Sequence, residues 1–447
     1  MIGSFERRRI PDGLRAMVKD GVPVDPRNGT PMEMDAYSVY MALKALEIAY
    51  GVDFAAEKEV LAQSVVRRMT APAWSHGAWT GSPHEIHMRF IAAGIRLMVE
   101  AHGDGLLRDA GVILRAVERL LAYSEPLERG RWYLHDSLEM PKIELPHPHK
   151  RLPNRAWGSS EANCLVLNTH LDTLSTVIHV LRRIPLSTEI KYSLILRVEE
   201  GLAALELVLS HNESPLWRRF SRVDVEVRKR LFHTYGHRPQ WSLGARLLRR
   251  GIRDGYFPVR QHIRSAAPGF VHPDGYLERD ISLRGRGFEY HVVNAFDLIR
   301  LVLEAEAELI LSSSLKARCE ALVDAAINHA IDSPYANYLY ASMRDSTRPI
   351  LLCETILARL GSMPDPSLPQ RWIRAYCRIR QRLPPSAAIL GYDPFIVGRC
   401  GSPSRKLYDI VTLRNGRILE IDLTSGTAVI LPRAHVERFP MKVPARL

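Results

Sequence analysis

Residues 160–210 read SEANCLVLNTHLDTLSTVIHVLRRIPLSTEIKYSLILRVEEGLAALELVLS. Apolar residues recur at helical spacing on both sides of Pro185, and a proline, lacking an N–H, ends the first run. The stretch therefore predicts two helices, over 160–183 and 188–210, folded back on each other as a hairpin. Ser159 or Ser160 supplies the side-chain cap for the first. That helix also carries Glu161, Asn163, Asn168, His170 and Asp172. Such polar groups are costly to bury without partners, which predicts a polar cavity beside it.

The same pattern extends in both directions. Residues 33–50 and 55–69 pair across Gly51, and 84–102 and 106–123 across Gly103-Asp104-Gly105. Residues 291–309 and 314–331 pair across Ser312-Ser313-Ser314, and 347–360 and 368–382 across Gly361 and Pro364. Residues 214–265 are helical but less regular. No repeat is detectable in the residues themselves. Five to six hairpins, each with an apolar face, must stack on their neighbours. The expectation is a mostly α fold, either an open superhelix or an α/α toroid, over residues 1–385. A small β appendage follows over 386–447, where Asn415-Gly416 marks a hairpin between 408–413 and 417–423, and Ser425-Gly426 a turn before 428–431.

The 447-residue chain is 46% hydrophobic, enough for a large core, and carries 61 basic against 49 acidic residues, a net charge of +12. That balance favours an anionic partner. The arginines are scattered and no nucleic-acid motif is present, which argues against nucleic acid. No apolar run is long enough to span a membrane. The start, MIGSFERRRIPDG, shows no secretory signal, and five widely spaced cysteines suggest neither disulfides nor a metal. A cytoplasmic protein is expected.

Segment 274–300, DGYLERDISLRGRGFEYHVVNAFDLIR, is the densest in chemistry. Glu278, Arg279, Asp280, Arg284 and Arg286 crowd a loop, and Tyr290 and His291 open a helix. A tyrosine among arginines suits general acid or base work. Loops around Trp74–Trp79, Arg155–Ser160, His272–Tyr276 and Asn337–Tyr340 are rich in aromatics and suit stacking on sugar rings, or else cap the core. Arg344, in an Arg344-Asp345-Ser346-Thr347-Arg348 cluster, suits bidentate grip of a carboxylate. His84, Glu85 and His87, and separately His135, His147 and His149 in a Pro-rich loop, contain metal-ligand types, but neither spacing is a zinc motif. No metal or cofactor is expected.

The Asp274-Gly275 turn, Arg284-Gly285-Arg286 and Tyr290-His291 at a helix start resemble a motif of alginate-lyase-type polysaccharide lyases, and Asn168-Thr169-His170 resembles the Asn and His of another inner helix. A weaker resemblance, through Trp132-Tyr133 and Leu167-Asn168, is to glucuronyl C5-epimerases. These resemblances imply an α/α toroid and an anionic, uronate-containing poly- or oligosaccharide substrate. Asn168 or Asn163 with Arg284 would neutralise the uronate carboxylate, His170 or Tyr290 would be the base, and Tyr290 the acid. Trp79, Trp157, Glu161, Asn163, Arg286, His291 and Arg344 would bind sugar. A C5-epimerase shares the first step. A glycoside hydrolase using Glu161 and Asp280, and a non-catalytic helical-repeat binder, are the alternatives.

Overall fold

The computed structural model describes residues 21–22, 33–50, 53–70, 86–140, 164–210, 215–233, 243–251, 255–256, 258–260, 263, 269–280, 288–307, 310–341, 347–363, 368–382, 397–400, 408–412 and 418–431. The fold over these residues is mostly helical. Five hairpins pair α1 (Glu33–Tyr50) with α2 (Ala55–Thr70), α3 (Met88–Gly103) with α4 (Ala110–Ala122), α5 (Leu167–Arg183) with α6 (Thr188–Ser210), α9 (Tyr290–Ala307) with α10 (Ser313–Asp332), and α12 (Thr347–Ser362) with α13 (Gln370–Arg382). Between the third and fourth lie α7 (Pro215–His233) and α8 (Leu243–Gly251), and α11 (Tyr335–Ala341) precedes α12.

Local chemistry sets the ends. Asp109 caps α4 by accepting from the Gly111 N–H at 2.8 Å, and Ser312 caps α10 by accepting from Leu315 N–H at 3.3 Å. Two expectations shift. The helix foreseen from 160 begins at Leu167, because Leu165 sits at φ 50°, in the left-handed region, and Val166 is extended. Its cap is therefore Val166 and not a serine. Residues 337–340, foreseen as a loop, lie inside α11.

The first helices of the hairpins line up. α3 packs between α1 and α5, α9 packs on α5, and α12 packs on α9. Their partners α2, α4, α6, α10 and α13 cover them. The central helix α5 is buried from Leu167 to Leu181 on every side, so its polar residues have no solvent to turn to. One apolar core runs through all five hairpins. None of the described helices is long and apolar enough to cross a membrane.

Among the described residues, two antiparallel sheets accompany the helices. β1 (Ser124–Pro126) and β2 (Arg131–Tyr133) form a hairpin that sequence periodicity did not reveal. β3 (Val397–Cys400), β4 (Tyr408–Thr412), β5 (Ile418–Asp422) and β6 (Thr427–Leu431) form a meander in that order. The meander joins the helical core: Leu419 and Ile421 belong to the same apolar cluster, and Tyr376 of α13 donates to Asp409 at 2.9 Å. β5 and β6 pack on α13, while β3 packs on α1.

The structure also reveals a repeated unit. Gly130 (φ 75°) turns β1 into β2; two residues on, Trp132 stacks on His170 with ring centres 3.9 Å apart, and the Tyr133 N–H donates to His170 Nδ1 at 3.0 Å. His170 Nε2 then bonds the Gly201 carbonyl of α6 at 3.0 Å. In the fourth hairpin Gly275 (φ 84°) turns the chain, and Tyr276 stacks on His291 at 5.0 Å. There the Leu277 N–H donates to His291 Nδ1 at 2.9 Å, and Nε2 bonds the Ala326 carbonyl of α10 at 3.1 Å. A Cβ on Gly130 would run into the Glu200 carbonyl oxygen, and one on Gly275 into that of Ala325, so both turns need glycine for closeness as well as for φ. Each unit pins a turn, an inner helix and its covering helix together.

Candidate functional site

The starts of α3 and α5 are tied to the turns that follow the two pinning units. The Met88 N–H donates to the His135 carbonyl at 3.0 Å, and the Leu167 N–H to the Arg279 carbonyl at 2.9 Å. These bonds satisfy first-turn donors that a helix leaves unpaired. They also carry the side chains of His135 and Arg279 to the mouth formed by the helix starts. The buried carboxylate of Glu139 fixes this corner, accepting from the backbone N–H groups of His135 at 2.7 Å and Cys164 at 3.4 Å.

Five side chains converge there. Arg279 Nη2 lies 3.0 Å from His135 Nε2, and Arg279 Nη1 lies 3.2 Å from Asp280 Oδ2. The Arg279 guanidinium sits 4.3 Å over the Tyr290 ring. The His87 ring meets that of His135 edge-on at 4.3 Å. A guanidinium can only donate, so His135 Nε2 is the acceptor. The His135 proton is thereby assigned to Nδ1, which points at Thr169 Oγ1 2.7 Å away. His135 is nearly enclosed, whereas His87 and Tyr290 are half-buried and the Arg279 side chain keeps 24% exposure. A neutral imidazole, a phenol and a guanidinium at an accessible mouth can take a proton, give one and hold an anion.

Beneath the mouth the helices α3, α5 and α9 share a buried ion cluster. Arg89 donates to Asp297 at 2.5 Å and to the Asn168 carbonyl at 3.0 Å. Arg96 donates to Asp172 at 2.5 Å and Thr176 at 2.6 Å; Arg300 also reaches Asp172, and lies 3.0 Å from Asp297. Burial would push the Asp172 carboxyl up, but Arg96, Arg300 and Arg89 together hold it below the usual carboxylate range. Three guanidinium groups face two carboxylates, an excess of one positive charge. The Asn168 side chain is fully buried beside them, and neither of its amide atoms has a partner among the described residues.

Of the residues singled out from sequence, Tyr290 reaches the mouth. His170 and His291 do not act there: both ring nitrogens of each are held by backbone. Burial pushes the His170 imidazole down to about 3, with the Gly201 bond opposing, and holds His291 well below its ordinary value. A base role for His170 is therefore withdrawn, since it has no free lone pair, and sugar binding by His291 likewise. Asn168 lies behind the mouth. Arg284, Arg286, Trp79, Trp157, Glu161, Asn163 and Arg344 lie outside the described residues. The aromatic Tyr276, foreseen as sugar-stacking or core-capping, caps the core. His135, foreseen in a loose loop, is instead buried in a tied turn.

The site residues that pattern reading missed are His135, His87, Thr169 and Arg279 as a set. A signal existed. Trp132-Tyr133-Leu134-His135-Asp136 and Tyr276-Leu277-Glu278-Arg279-Asp280 share an aromatic, then a basic residue three later, then Asp.

A second polar cluster has metal-ligand chemistry. Donor atoms of Asp224, His272 and Glu278 all lie within 4.8 Å of one another. Arg260 bridges both carboxylates, from 2.6 Å at Asp224, and Arg228 adds a bond to Asp224 at 2.8 Å. The protein's own guanidinium groups thus supply the positive charge, and the cluster reads as a structural network. Comparison with protein-family models, with curated proteins and with solved structures finds no match for this chain.

Proposed function

We propose that the protein is an α/α-toroid enzyme that removes the C5 proton of a uronate in an anionic poly- or oligosaccharide and eliminates the substituent at O4. The observation that carries this reading is the convergence of Arg279, His135 and Tyr290 at the mouth of the inner helices. The row α1–α3–α5–α9–α12, covered by the second helix of each hairpin, supports the toroid. So does the meander, which touches both the first helix and α13.

The roles follow from the chemistry of each group. The uronate carboxylate takes the Arg279 guanidinium in place of His135, which makes the C5 proton more acidic and frees His135 Nε2. That nitrogen accepts the C5 proton. The C4–O4 bond breaks as a C4–C5 double bond forms, and the Tyr290 hydroxyl protonates the departing O4. Thr169 holds the His135 ring, and the buried positive excess below the mouth favours an anion above it. Arg284, five residues beyond Arg279 in the sequence, is a second group for gripping the carboxylate, whereas the fully buried Asn168 is not.

Incubation with a panel of uronate polymers tests this. Elimination produces a conjugated product that absorbs in the ultraviolet, and Tyr290→Phe or His135→Ala lowers the rate by about 10²-fold or more without unfolding the chain. If deuterium from solvent enters C5 with no cleavage, the enzyme is a C5-epimerase using the same first step. Neither absorbance nor exchange on any uronate polymer would sink the reading.

A further inference from the structure

We propose that the outward faces of α7 and α8 form a docking surface for an anionic lipid bilayer, independently of the chemistry at the mouth. Ten large apolar side chains are exposed among the described residues, and five of them fall in one segment: Leu216, Val223, Leu243, Leu247 and Val259, each between 52% and 72% exposed. Single exposed apolar residues are ordinary on a protein surface, whereas several that share a helix face mark an interaction surface.

Their arrangement is regular. On α7, Leu216 and Val223 are seven residues apart and share a stripe, with Arg219 and Arg230 beside it and Arg218 and Arg222 on the far flank of the exposed arc. The one exposed acidic side chain of α7, Glu226, is held by Lys229 at 2.8 Å. On α8, Leu243 and Leu247 form one exposed stripe and Arg246 and Arg250 the next. Val259 is exposed in the segment that follows α8, and that segment is tied to α7 where Tyr256 donates to Asp224 at 2.5 Å.

The opposite face of α7 is firmly seated. Trp217, Asp224, Arg228, Leu231 and Phe232 are buried, and the Trp217 indole N–H donates to the Val271 carbonyl at 3.2 Å. The exposed arc is therefore presented by a fixed helix, and no other described element packs extensively on α8.

Charge and apolarity together select the occupant. A polyanion such as RNA or an acidic polysaccharide would use the arginines but gain nothing from five aliphatic side chains, and no aromatic platform for bases is exposed on these helices. A bilayer interface uses both: the aliphatic groups enter the acyl boundary while arginine stems lie along it and their heads reach lipid phosphates. Anionic lipid adds attraction for each basic residue near the surface.

Vesicle sedimentation of the full chain tests this, with phosphatidylcholine vesicles, vesicles containing phosphatidylglycerol, and RNA and a polyuronate as competitors. Binding is expected to the anionic vesicles alone and to weaken with salt. Leu243→Ser with Leu247→Ser, and separately Arg219→Gln with Arg222→Gln, each weaken it by about tenfold or more. These side chains are exposed, and an unchanged melting temperature confirms that each variant is folded. Failure to bind anionic vesicles at low salt overturns the proposal. So does binding that survives the leucine changes or that a polyanion abolishes outright, since either result assigns the surface to a polyanion. Elimination activity plays no part in the readout, so this surface and the mouth chemistry stand or fall separately.

Discussion

Replacing His170 by alanine separates a structural histidine from a catalytic one. The change removes the acceptor for the Tyr133 N–H at 3.0 Å, the donor for the Gly201 carbonyl at 3.0 Å and the ring stacked on Trp132 at 3.9 Å. Each buried backbone group left unpaired costs about 1–3 kcal/mol, and the lost stacking about 0.5–1.5 kcal/mol. The sum, about 2.5–7.5 kcal/mol, is a large part of a typical domain's stability. Urea unfolding followed by circular dichroism measures it. His170→Gln, able to keep one of the two bonds, should fall between wild type and alanine.

A pH series sharpens the test. The folded-state value of His170 is pushed down to about 3, and so is that of His329, through burial first. In the unfolded chain each takes up a proton below about 6.5. Between those values the unfolded state binds protons that the folded state does not, so stability falls as pH drops from about 6.5 towards 3, by about 1.4 kcal/mol per pH unit for each histidine. His170→Gln should remove one proton's share of that slope. A His170→Ala protein within about 1 kcal/mol of wild type, with the acid slope unchanged but activity lost, would refute the pinning role and restore His170 as the base.

Three further outcomes are expected. Gly130→Ala and Gly275→Ala should each lower stability by about 2–4 kcal/mol, from positive φ and collision with a helix carbonyl, read by thermal melting. On the alkaline side, burial opposes protonation of His179, but bonds to Glu100 and Glu304 raise it to about 9. Its stabilisation is therefore whole below about pH 6.5 and is lost as pH rises to 9, and His179→Gln should abolish that alkaline decline in melting temperature. Chelator treatment should leave the melting temperature unchanged, because Arg260 and not a metal bridges Asp224 and Glu278.

The hairpins were legible because their breaks are chemical. Pro185, Gly51, the Gly103-Asp104-Gly105 turn and the serine cap at 312 interrupt helical spacing in plain view. The Asn415-Gly416 signal likewise pointed to paired strands. The start of α5 differs because a good capping serine at 160 outweighs anything visible in Leu165, whose positive φ interrupts the chain two residues before the helix. The site was legible only in fragments. Polar residues on α5 suggest a polar cavity, and among the described residues they face buried ion pairs with Arg89, Arg96 and Arg300. For His170 the partner is a backbone N–H 37 residues away in a hairpin with no apolar periodicity, and for Asp172 it is arginines on two other helices. Local spacing carries no information about such distant partners, so satisfied core histidines were mistaken for reactive ones.

The two histidine pins have a consequence for how this scaffold changes over time. Each holds its turn by backbone bonds and ring stacking alone, and the residue at the mouth, His135 or Arg279, sits three positions beyond the stacked aromatic. The anchor and the working group are thus different residues on one short lever. Random substitution at 135 or 279 can exchange an imidazole for a guanidinium or an amide while the socket that aims it stays intact, so new reactivity is open to this chain without a new fold.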